Sequence, residues 1–182
     1  QGIARAATAG IETALREYDE YVAKEGISKA PAFGTRASLL GLVDDVDRAA
    51  ECATAAVAAA PESLAAWLAL AETRARQLRP TEAWAALAKA DEFELARMTQ
   101  LLVDHIATMI LIGERRYAEA RPLLESCDAR MLDMRQASPA IEASRREALI
   151  MLATACAGTG DMVVARQHLT AARQLLSQPR HA

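Results

Sequence analysis

A chain of 182 residues can bury one sizeable core, and with 52% apolar but only 4% aromatic residues that core is filled by Ala, Leu, Ile, Val and Met. A net charge of −3, with both signs mixed along the chain, leaves no basic stripe and argues against nucleic acid as a main partner; no apolar run reaches membrane-spanning length. Strong helix formers dominate, whereas the β-branched clusters and alternation of a sheet protein are missing, so the fold class is all-α.

No secretory leader is legible at Gln1. From Ile3 to Glu25 the apolar positions Ile3, Ala7, Ile11, Leu15, Tyr18 and Val22 recur every three or four residues, the spacing of one helix face. Glu12 with Arg16 and Glu20 with Lys24 support its solvated side, and Gly26 ends it. This amphipathic helix either caps one end of the fold or docks on a partner or in the protein's own groove. Two glycines and Pro31 make 26–35 a connector, so 1–35 is expected to be helix plus connector and 36–182 one helical domain.

A short apolar helix is expected from Arg36 to Val43, broken at Asp44-Asp45, and a second one carries Ala49, Cys52, Ala53 and Ala56 up to Pro61. In the stretch from Leu64 to Leu95, Trp67, Leu70 and Ala71 share one stripe of a first helix, and Ala83, Leu87 and Ala90 share one stripe of a second. Arg79-Pro80-Thr81 separates them, because proline removes a backbone donor and ends the first helix. Two helices must then fold back on each other. Asp91 with Glu94 forms a capping-box-like start to a long helix through Leu101, Ile106 and Ile110 to Gly113. Its partner carries Tyr117, Ala120, Leu124 and Cys127. Ser138-Pro139 opens the last pair, lined by Leu149, Leu152, Ala153 and Cys156 and, after a turn at Gly160-Asp161, by Ala165, Leu169 and Ala172.

The spacing from Trp67 to Ala90 resembles the tetratricopeptide (TPR) repeat, a hairpin with a large aromatic on the first helix and small residues on the second. Ala49, Ala83, Ala120 and Ala165 fall at the key small position, 34, 37 and 45 residues apart. The first interval is the family's period; the others imply about one and about three extra helical turns. The resemblance implies a right-handed α-solenoid of about four TPR-like hairpins preceded by a helix. It further implies a protein-interaction scaffold or adaptor that takes a peptide or amphipathic helix on a concave face. Alternatives are a regulatory or sensor domain of a larger protein and a chaperone for a secreted or assembled client. A further copy of the chain also stays open as a partner.

By that register the groove-facing positions are Leu68, Glu72 and Arg76, then His105, Met109 and Ile112 beside Ile106, then Glu147, Ile150, Met151 and Thr154. Family members that hold a partner's terminal carboxylate place Lys, Arg and Asn here. Leu, Ile, Met and His do not carry that activity over, and an apolar groove with adaptable methionines suits an amphipathic helix instead.

No enzyme is expected, and no cofactor or metal. His105, His168 and His181 lie far apart, and no HExxH motif occurs. Gly158-Thr159-Gly160-Asp161 lacks the lysine of a phosphate loop and fits an inter-helix turn. Cys52, Cys127 and Cys156 form no close pair, which favours reduced thiols in packing positions and a cytoplasmic location.

Overall fold

The computed structural model describes residues 2–41, 43–93, 97–134 and 139–177. Among them it contains nine helices and no strand, in two compact units, Gln1–Glu94 and Leu95–Ala182. The first unit holds α1 (Gly2–Glu25), α2 (Lys29–Gly41), α3 (Val46–Ala59), α4 (Leu64–Arg76) and α5 (Pro80–Ala90). The second holds α6 (Arg97–Gly113), α7 (Tyr117–Met134), α8 (Pro139–Gly158) and α9 (Met162–Ser177).

Every hairpin is closed by the same turn. A residue with positive φ follows each first helix: Asp44 (60°), Leu78 (57°), Arg115 (59°) and Gly160 (87°). Around it two amides reach back to otherwise orphaned carbonyls, as when Leu78 donates to Ala75 O and Arg79 donates to Arg74 O, both at 3.0 Å. The same pair of bonds recurs at Asp44 and Asp45, at Arg115 and Arg116, and at Gly160 and Asp161. Five residues beyond each turn come Ala49, Ala83, Ala120 and Ala165, all buried. The intervals of 34, 37 and 45 residues therefore belong to the backbone as well as to the side chains. The increase to 45 goes into helix length, since that interval runs through α7 with 18 residues and α8 with 20, against 14 in α3 and 13 in α4 for the first interval.

In the first unit α2 packs on α3, both pack on α4, α4 packs on α5, and α1 lies on α2. Its interior is built largely from alanine: Ala49, Ala53, Ala56, Ala71, Ala83 and Ala90 have no exposed surface, so the helices approach closely. Trp67 is half-buried, and its indole N–H donates to Pro61 O at 2.7 Å, tying α4 to the loop that precedes it. Asp45 and Ser63 cap α3 and α4 through their side chains, while Pro80 opens α5 where its missing N–H costs nothing.

One element differs from the sequence expectation. Lys29–Thr35 is helical and forms the first half of α2, not a connector. Pro31 sits in the first turn, where no amide bond is lost, and Gly34 weakens a helix interior by only about 1 kcal/mol. The connector shrinks to Gly26, Ile27 and Ser28, with Gly26 at φ 66°. Glu94 of the expected capping box, Ser138 before α8 and His181 lie outside the described residues.

In the second unit α6 packs on α7 and α8, α7 on α8, and α8 on α9. Leu101, Cys127, Met131 and Ala148 form one cluster of its core. Ion pairs cross its helices: Asp104 of α6 with Arg130 of α7, and Arg145 of α8 with Asp128 of α7 at 2.7 Å. Asp104 occupies the aromatic position of its hairpin, so a charged clasp stands there in place of an indole.

Candidate partner-binding site

Each unit presents a surface between consecutive first helices. In the first, α2 and α4 part to leave a cleft of about 210 Å³ lined by Ala37, Ser38, Gly41, Ala69, Glu72, Thr73 and Arg76. The wall from α2 is made of small residues, and a Cβ placed at Gly41 would meet nothing within 4 Å. The α4 wall is polar but internally satisfied. Arg76 donates to Glu72 Oε1 at 3.0 and 3.1 Å, and the Thr73 hydroxyl donates to Ala69 O at 2.9 Å. Ser38 donates to Gly34 O. What remains open toward solvent is mostly methyl and methylene surface.

Of the residues expected here, Glu72 and Arg76 line the cleft, whereas Leu68 is 5% exposed and belongs to the core. The open face of α4 is turned by one residue, toward Ala69 and Thr73. Sequence patterning missed both, because neither type stands out among so many small residues.

In the second unit α6 and α8 lie side by side. His105 Nε2 of α6 lies 3.9 Å from Glu147 Oε1 of α8, with the imidazole largely enclosed. One turn further along each helix come Met109 and Ile150. Ile150 is 47% exposed, and Met109, Ile112 and Met151 are half-buried. Thr154 is exposed, its hydroxyl donating to Ile150 O, while Ile106 is fully enclosed core. Leu102, one turn before His105, is 40% exposed and extends the apolar strip; the sequence register did not select it.

The helix α1 lies elsewhere. Ile11 and Leu15 pack on Leu40 and Ala49, with Leu39, Val43 and Cys52 at the edge. Two ion pairs hold it, Asp19 with Arg36 and Glu12 with Arg48 (2.5 Å). The bond from the Arg48 guanidinium holds the Glu12 carboxyl below the usual carboxylate range. On α2 the α1 contacts and the cleft residues sit on opposite sides, so α1 does not fill the cleft.

No group of three or more His, Cys, Asp or Glu side chains among the described residues could hold a metal. Burial pushes the Cys127 and Cys156 thiols up, which disfavours the reactive thiolate. No described helix is long and apolar enough to cross a membrane.

No protein-family model matches the chain, and no curated protein does. Among solved structures it is similar to the crystal structure of the nearly identical TPR-like repeats of a putative kinesin light chain from Podospora anserina. That likeness has 19% identity and a TM-score of 0.59 over 97% of this chain and 92% of the other. The fold is thus an all-α, TPR-like helical repeat.

Proposed function

We propose that this protein is a non-catalytic interaction scaffold of the cytoplasm that holds a peptide or amphipathic helix of a partner protein against its first helices. The observation that carries this reading is the uncovered apolar strip of α6 and α8. Ile150 stands half out of the fold beside the half-buried Met109, Ile112 and Met151, with polar His105, Glu147 and Thr154 among them. Apolar side chains left at the surface in a strip with polar neighbours mark an interaction site, and methionines adapt to varied partners. The cleft at Glu72 and Arg76 supplies a second, smaller receptacle for one apolar side chain. Its polar atoms are already paired, so it favours shape and apolar contact over capture of a charged group.

Capture from native lysate tests the reading with three proteins: the wild type, a Met109→Glu/Ile150→Glu variant and an outer-face control, Leu123→Glu. A partner retained by the wild type and the control but lost by the first variant supports the reading. Equal retention by all three overturns it, provided the variants keep their helical circular dichroism.

A further inference from the structure

The face beneath α1 has a charge pattern that the groove lacks. Among the described residues the basic groups that meet α1 are Arg36 and Arg48 of the α2–α3 hairpin, which pair with Asp19 and Glu12 of α1; Arg48 also pairs with Asp45 of its own hairpin at 3.3 Å. Beside these clasps, Ile11 and Leu15, one turn apart, are the buried apolar contacts among the described side chains of α1. The acids are seven residues apart, two turns on one flank of the helix, so the hairpin reads an apolar, acidic helix at fixed spacing. Overall α1 matches this bias, with five acids to three bases between Gly2 and Glu25.

Among the described side chains of α1, the ion-pair part of the hold is weak. The clasping carboxylates are half-exposed, 52% for both Asp19 and Glu12, and exposed pairs contribute little and are screened by salt. The backbone of α1 comes close to α2, and its side chains reach Ala49, Cys52 and Arg48 of α3, whereas α2 and α3 pack directly on each other and on α4. The hairpin is therefore supported without α1. Lifting α1 would uncover Leu39, Leu40, Val43 and Cys52 between two arginines.

We propose that α1 is a displaceable strap, and that the α2–α3 face beneath it is a docking site for an acidic amphipathic helix of a partner, with α1 as the resident competitor. The partner helix carries apolar residues one turn apart and two carboxylates two turns apart, matching Ile11, Leu15, Glu12 and Asp19. This site lies on the opposite side of α2 from the cleft and stands or falls independently of the groove.

The test uses the full chain and a labelled synthetic peptide with the sequence of residues 2–25, followed by fluorescence anisotropy. In a Glu12→Arg/Asp19→Arg variant the strap is repelled, and the peptide is expected to bind about tenfold or more tightly than to the wild type, because the competent fraction rises. Raising the salt from about 0.05 M to about 0.5 M weakens that binding, and adding Arg36→Gln and Arg48→Gln weakens it further and flattens its salt dependence. The salt series reads the same electrostatics even where the fourfold variant does not fold. Equal peptide affinity in wild type and strap variant, no binding to the variant, or binding indifferent to salt overturns the proposal. Loss of the cooperative melt in the Glu12→Arg/Asp19→Arg variant also overturns it, by showing that α1 is an integral cap.

Discussion

Tyr117, the first residue of α7, lays its ring where a side chain on Gly158 would stand: a Cβ at Gly158 would lie 2.2 Å from Tyr117 Cδ2 and 2.5 Å from Cγ. Because Cγ is the root of the ring, a rotamer adjustment at its tip cannot clear the contact. Gly158 is needed for approach, at a φ any residue adopts, unlike Gly160 two residues on, which needs the left-handed region. Gly158→Ala should lower stability by about 1–3 kcal/mol as overpacking. A thermal melt checks it, and Tyr117→Ala in the same chain should recover much of that particular loss. Additive losses in the double variant would mean that the two residues do not meet.

The hairpin turns invite the opposite experiment. Leu78 and Arg115 hold positive φ without being glycine, and Leu78 is 74% exposed, so neither is repaid by burial of its side chain. The left-handed conformation costs an L-residue about 1–2 kcal/mol. Part of the gain from glycine is offset by the greater freedom of the unfolded chain. Leu78→Gly and Arg115→Gly should each raise the melting midpoint, while Gly160→Leu lowers it. A fall in midpoint for both glycine variants would show that these side chains stabilise contacts of their own.

These turns explain how much of the fold the sequence discloses. Ala49, Ala83, Ala120 and Ala165 are legible because each follows its turn by five residues, and close helix packing admits only a small residue there. The start of α2 is not legible, since Pro31 and Gly34 look like breakers until the helix is known to begin at Lys29. Leu68 reads from the sequence as part of the open face for a similar reason: in a helix as rich in alanine as α4, the polar pattern fixes the face only to within a residue. Contacts distant in sequence leave no local signal. Arg48 bonding Glu12, 36 residues away, and Tyr117 lying against Gly158 emerge only once the chain is folded.

The clasp of α1 has a pH dependence whose sign follows from Glu12. Its folded pKa is lowered by the bond from Arg48, so the stabilisation is complete above the unfolded value of about 4.3 and disappears as the pH falls through the lower, folded one. Hydrogen exchange should therefore show the amides from Ile11 to Val22 losing protection in acid. Glu12→Gln should show weaker protection at neutral pH and a smaller change on acidification. Glu119 is lowered in the same way by Arg116, but that pair spans three residues at the start of α7, so its protonation frays one turn and undocks nothing. Protection of α1 that does not change with pH would show that the Glu12–Arg48 pair does not hold α1.

Ala83 offers the sharpest test of the repeat register. It has no exposed surface, its amide donates to Arg79 O at 3.0 Å in the first turn of α5, and it faces the helix that carries Trp67. Ala85, two residues on, is exposed on the same helix. Leucine has the same high helix propensity at either position, so comparing Ala83→Leu with Ala85→Leu isolates packing from propensity. The first should cost about 1–3 kcal/mol, because the α4–α5 contact cannot open without lifting α5, and the second should stay within about 0.5 kcal/mol of the wild type. Equal unfolding midpoints for the two variants would show that α5 does not meet α4 through Ala83, and the register shared by all four hairpins would fail with it.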